Sequence, residues 1–142
     1  MKKSDMPIVK VSFSLIGKKM NFNDITNRIN ILPSETRDED DWPEAIKNNP
    51  DLPGNLKPRC IWTYTISKKS CLNVNIPFIE LVDIFYSKTD DIKEIIKNNA
   101  ETCIEILVHS DAMNMPIIGL SRENISFLNK IEAEVEFDIY TY

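Results

Sequence analysis

The sequence predicts one α+β domain spanning residues 1–142, with a mainly antiparallel or mixed sheet of four to five strands and two to four helices packed mostly on one face. Three observations predict it. The chain has 142 residues, enough for one continuous core. Apolar residues alternate with polar ones in several short runs, and between those runs they recur at helical spacing. The resulting order, β-α-β-α-β-β-α-β, favours helices laid on one side of a sheet.

Each element has its own signal. From Pro7 to Gly17, Val9, Val11, Phe13 and Leu15 alternate with Lys10, Ser12 and Ser14, the period of a half-buried strand. Asn21 or Asn23 can cap a short helix carrying Ile25 and Ile29, which Leu32-Pro33 would end. Residues 33–59 hold five of the eight prolines and no apolar period, so they read as one long acidic, Pro-rich loop that should not pair as a central strand. Trp62, Tyr64 and Ile66 alternate with Thr63 and Thr65 in a second strand over Cys60–Ser67. Pro77, in a first helical turn, leads Phe78, Leu81, Val82 and Phe85; Thr89 and Asp90 can start a new helical stretch bearing Ile92, Ile95 and Ile96, which makes one kinked helix or two. Ile104, Ile106 and Val108 form the next strand, and a turn at Asp111–Asn114 predicts a hairpin with Pro116–Leu120. Ser121 caps a helix carrying Ile125, Leu128 and Ile131, and Val135, Phe137 and Ile139 alternate in a closing strand. Ile16-Gly17 and Ile118-Gly119 each precede a polar stretch and a helix, which makes a ferredoxin-like pair of halves one topology to test.

Composition excludes several functional classes. Hydrophobic residues at 42% and charged residues at 27% describe a globular chain. There is no secretory signal core and no apolar run long enough for a bilayer, so a soluble, cytoplasmic protein without membrane association is expected. Cys60, Cys71 and Cys103 are odd in number and widely spaced, which suits a reducing compartment rather than a disulfide framework or paired metal knuckles. The net charge of −5 is concentrated: Glu35 to Glu44 holds six acids and one base. An acidic chain without a basic stripe repels phosphate backbones, so no nucleic-acid partner is expected, whereas a basic protein is admitted.

Within that acidic segment, Asp38, Glu39, Asp40, Asp41 and Glu44 surround Trp42, the pattern of an aromatic anchor amid steering charge, and these six are the candidate partner-binding residues. The competing reading has Trp42 folding back as a structural plug among solvated acids. Trp62, Tyr64 and Tyr86 are candidate walls of a small-molecule pocket, with ordinary core as the alternative. No nucleotide, metal or nucleophile motif is present, so no cofactor, metal site or catalytic residue is assigned, and an enzyme is disfavoured. Hydrolase or transferase chemistry would need His109, Glu105 and Asp138 to converge in one cleft. Glu105, Glu136 and Asp138 fall at outward strand positions and are read as a solvated face, and Cys71, beside Lys68-Lys69, is read as a loop thiol.

The strand ending in Gly17, Asn23-Asp24-Ile25-Thr26, Ile31-Leu32-Pro33-Ser34, the strand with Trp62, Pro116 to Ser121, and Asp138-Ile139-Tyr140 together resemble the bacterial domain-of-unknown-function family 4279. The resemblance implies a single cytoplasmic domain, shared residues of a structural kind, and association with bacterial toxin-immunity loci. The concentration of charge, with the resemblance, gives the expectation of a non-enzymatic protein-binding module, an immunity-type inhibitor whose acidic loop and open polar sheet face engage a basic toxin, with a small-molecule sensor as the alternative.

Overall fold

The structure is a computed structural model that describes residues 6–53 and 57–142. Its frame is one mixed sheet of six strands with four helices of two turns or more. The strands are β1 (Ile8–Gly17), β2 (Glu35–Arg37), β3 (Cys60–Thr65), β4 (Lys69–Ser70), β5 (Ala100–Ser110) and β6 (Glu134–Thr141). They run in the order β2-β3-β1-β5-β6, and β4 continues beside the start of β1. All pairs are antiparallel except β5 with β6, which is parallel. That mixed pairing, with parallel neighbours at one margin, places the chain in the broad α+β class rather than in two ferredoxin-like halves.

Val9, Val11, Phe13 and Leu15 of β1 are buried, as are Ile104, Ile106 and Val108 of β5, and one parity of each strand faces a single apolar cluster. The helices cover that parity. They are α1 (Phe22–Ile29), α3 (Asn75–Phe85), α4 (Thr89–Lys97) and α5 (Arg122–Lys130), with α2 (Glu44–Lys47) a single turn outside the core. Ile25 and Ile29, Phe78, Leu81 and Phe85, Ile92 and Ile95, and Phe127 and Leu128 are the buried faces of the four long helices. Fully burying side chains of this kind contributes about 1.5–3 kcal/mol each, which is why period-two and period-3.6 runs decide the fold.

The capping chemistry follows the residue types. The Asn21 side chain accepts the Asp24 N–H at 3.1 Å, and Ser121 accepts that of Asn124 at 3.2 Å. Asn30, in the left-handed conformation at φ 61°, ends α1 before Leu32-Pro33 is reached. A 3-10 turn over Tyr86–Lys88 separates α3 from α4, so the long apolar stripe is two helices.

Several expectations are corrected. The sheet has six strands, not four to five, because the acidic segment contributes β2 and a short β4 joins β1. The segment read as one loop over 33–59 contains β2, a 3-10 turn over Glu39–Asp41 and α2; Gly54, Asn55 and Leu56 of it lie outside the described residues. As the prolines require, β2 sits at the sheet margin and not in its centre. No hairpin follows β5. Ile117 instead donates its N–H to the Leu72 carbonyl at 2.7 Å and bridges to Asn73, which pins 116–120 against the entry to α3. Ile118-Gly119 therefore follows no strand, and the suggested repeat of β1 and its helix is absent. Of the face expected on α5, Leu128 and Ile131 are buried and Ile125 is exposed, with Asn124 and Phe127 completing the buried side.

Candidate functional site

Among the described residues the four long helices occupy one face of the sheet and leave the other without a helix layer. On the open face, β1 contributes Lys10, Ser12, Ser14 and Ile16, while β3 contributes Ile61, Thr63 and Thr65. Beyond them, β5 adds Glu101, Cys103, Glu105, Leu107 and His109, and β6 adds Glu134, Glu136, Asp138 and Tyr140. The register arranges these in rows across the strands. One row reads Thr65, Ser12, Glu105, Glu136; the next reads Glu35, Thr63, Ser14, Cys103, Glu134.

Hydroxyls form the floor. Ser12 Oγ is hydrogen-bonded to Thr65 Oγ1 at 3.0 Å, and Ser14 Oγ to Thr63 Oγ1 at 2.9 Å. These pairs are the polar analogue of cross-strand packing, and they satisfy one another without a bound group. Above them lies a shallow depression of about 280 Å³ walled by Lys10, Arg37, Glu35 and Glu105.

The β5–β6 half of the face is acidic. Glu105 stands directly opposite Glu136, flanked by Glu134 and Asp138. Like charges directly opposite on neighbouring strands are destabilising. None of these four carboxylates has a Lys or Arg nitrogen within ion-pairing distance among the described residues; the ion pairs there lie elsewhere, Arg28 with Asp91 for example. Their field is felt by Cys103: burial, and then the charges of Glu136, Glu134 and Glu105, push its thiol up to about 11. The neutral thiol is thus the form the fold retains. Because its folded value is raised, its contribution to stability is complete below the ordinary thiol range and is lost as pH rises through about 11. At pH 8 the thiolate fraction of Cys103 should be roughly a hundredfold below that of an ordinary cysteine. Alkylation followed by peptide mass mapping should show Cys103 reacting correspondingly slowly until the protein is unfolded; a rate like that of a free thiol would contradict this account.

The acidic segment attaches at the opposite margin. Arg37, on the open face in register with Ile61, holds its guanidinium 4.1 Å from the centre of the Trp42 ring. Trp42 Nε1 donates to the Arg59 carbonyl at 2.9 Å, and the indole is half-buried. Trp42 therefore folds back on the start of β3, the plug arrangement, instead of projecting as an anchor. Asp38, Asp40, Asp41 and Glu44 remain exposed around it, and Glu39 is half-buried. Asp41 accepts the Asp38 N–H at 2.8 Å, and Glu44 pairs with Lys47 at 3.4 Å.

The three aromatics proposed for a pocket do not come together. Trp62 is completely buried and donates Nε1 to Thr26 Oγ1 at 3.1 Å. Tyr64 is half-buried edge-on to Phe85, while Tyr86 is exposed beneath the Lys130 ammonium. Two larger grooves lie elsewhere. One of about 600 Å³ runs between α1 and α4, and one of about 740 Å³ lies at the Gly17 end of β1. In the first, Asn21 caps α1, Arg28 pairs with Asp91 and Asn98 Nδ2 donates to the Glu94 carbonyl, while Lys19, Asp24 and Asn27 complete its polar lining.

His109, Glu105 and Asp138 do share the open face, yet no hydrogen bond joins any two of them among the described residues. The Asp138 carboxylate accepts instead from the Tyr140 hydroxyl at 3.1 Å, which pushes the phenol up, and the Tyr140 ring lies 4.9 Å from that of His109. Cys71 is buried, its thiol raised by desolvation and donating to the Asn73 carbonyl. No group of three or more His, Cys, Asp or Glu able to hold a metal ion occurs among the described residues. No helix there is long and apolar enough to cross a membrane.

Sequence reasoning gave no functional role to Glu134, Tyr140, Arg37 or Arg59. The parity of Glu136 and Asp138 extends to Glu134 and Tyr140, so that part was readable. Their placement beside Glu105 depends on the β5–β6 register, which no local signal encodes.

Fold and face together define an α+β domain with one helix layer and, among the described residues, a helix-free sheet face whose β5–β6 half is acidic. The chain belongs to the family described as Domain of unknown function (DUF4279), whose pattern matches residues 7–142 and so spans every strand. No curated protein and no solved structure matches the chain.

Proposed function

We propose that the protein is a non-enzymatic binding module, an immunity-type inhibitor that uses the acidic half of its open sheet face to engage a basic protein, with the turn Asp38–Asp41 adding attraction at the opposite margin. One observation carries this reading: Glu105 and Glu136 stand side by side across β5 and β6, flanked by Glu134 and Asp138, with no ion-paired cation among the described residues. Such an arrangement costs the isolated fold stability and gives a cationic partner something to relieve. The partner's class as a toxin is carried over as an expectation from the family resemblance and does not come from the charges.

Capture of interacting proteins from the native host, with wild type and Glu105→Gln/Glu136→Gln/Asp138→Asn side by side, tests it. A basic protein should be retained by wild type, lost with the triple variant, and released as salt is raised to about 0.5 M, where exposed charges are screened. The variant itself should be at least as stable as wild type, since the like-charge repulsion has been removed. A partner that ignores both the substitutions and the salt sinks the reading.

A further inference from the structure

The acidic strand β6 is also the margin of the sheet, and its outer side has no strand partner among the described residues. Its eight residues are mostly exposed, far longer than the three of β2 at the other margin. An edge of this length presents a row of backbone N–H and C=O groups able to template another strand. Its two side-chain faces differ. Glu134, Glu136, Asp138 and Tyr140 point to the open side, whereas Phe137 and Ile139, on the helix side, are 44% and 43% exposed.

We infer that β6 receives an extended segment of a partner protein by strand addition, and that this segment alternates Lys or Arg with apolar residues. The inference rests on the acidic-face reading and deepens it by giving the partner's contacting segment a conformation and a pattern. Directly opposite residues of paired strands share a face. An added strand therefore needs cations against Glu134, Glu136 and Asp138, and apolar side chains over Phe137 and Ile139. Main-chain bonds supply affinity in such complexes, and the alternating side chains supply specificity. A second copy of this chain fits poorly. Two-fold antiparallel pairing of β6 with itself sets its three carboxylates against the same three, with no cation to separate them.

The test uses the intact protein and a short capped peptide alternating lysine with valine. Binding is read by fluorescence anisotropy, and amide exchange is followed across residues 134–141. The lysine peptide should bind and slow exchange there, while a glutamate–valine peptide should not bind. Two further peptides carry N-methyl groups on either the lysine or the valine amides. Only one set of amides can face β6, so one methylated peptide should lose at least about tenfold in affinity and the other should keep it. Equal binding by both, or unchanged exchange at 134–141, overturns strand addition while leaving the acidic face as receptor. Binding that about 0.5 M salt leaves untouched overturns the acidic face and this inference with it. A peptide-free protein that is already a dimer protected at 134–141 assigns the edge to a second copy and also overturns the proposal.

Discussion

Trp62→Ala is expected to destabilise the protein by about 3–5 kcal/mol, the range for truncating a fully buried large aromatic. The indole has no exposed surface and meets Phe13 edge-on with ring centres 6.2 Å apart. Phe13 in turn stacks on Phe85 at 4.4 Å, so this one side chain joins β3 to β1 and, through Phe85, to α3. Its Nε1–H also ties β3 to α1 through Thr26. The substitution empties a volume that four elements cannot all collapse into, and the cavity adds to the lost transfer energy. Thermal unfolding should shift down by more than about 10 °C in a chain of this length. Trp62→Phe, which keeps the ring contact but loses the hydrogen bond and some volume, should cost about 1–2 kcal/mol. If Trp62→Ala costs less than about 1 kcal/mol, the indole is not the closed core residue described, and its reading as the wall of a ligand pocket regains standing.

Residues that alternate over a long run announced themselves. Val9 to Leu15 and Ile104 to Val108 each place one parity at zero exposure, and a one-residue slip would drive that parity into water. The helices of 22–29, 75–97 and 121–131 were legible for the same reason. β2 was not, because Glu35, Thr36 and Arg37 are all exposed and polar, and they form a strand only because β3 offers an edge. The hairpin after β5 was misread because Pro116 to Leu120 has strand-like composition, while its backbone is claimed by Leu72 and Val74. The outward parity of Glu105, Glu136 and Asp138 was readable within each strand. That Glu105 meets Glu136 was not, because a parallel register is set by how α5 spans β5 and β6, a long-range contact. Trp42 shows the limit from the other side: its acidic surroundings suggested an anchor, but an indole N–H within reach of the Arg59 carbonyl and a face beneath Arg37 were enough to fold it inward.

One amide ties the start of α5 to α3, and its loss is the second large effect expected. Asn75, at the start of α3, donates Nδ2 to Asn73 Oδ1 at 2.9 Å and to the Gly119 carbonyl at 2.8 Å. Its Oδ1 accepts from the Ser121 N–H at 3.0 Å and from Asn124 Nδ2 at 2.9 Å. All four hydrogen-bonding positions of one amide are used, and Asn124, 2% exposed, is thereby drawn into the core side of α5. Asn75→Asp preserves shape and both accepting contacts, but it turns both donations into oxygen against oxygen. The expected cost is about 2–4 kcal/mol at neutral pH, more than a surface charge change and comparable with a core truncation. Protonation restores one donor, so the folded carboxyl should titrate above its unfolded value. The deficit should therefore be smallest at acid pH, below the unfolded value, and grow as pH rises through the folded one. Since α5 is the crossover that lays β6 beside β5, amide exchange in 134–141 should quicken more than in β1. A variant that loses less than about 0.5 kcal/mol, or loosens β1 and β6 alike, would show that the register of the acidic edge does not hang on Asn75.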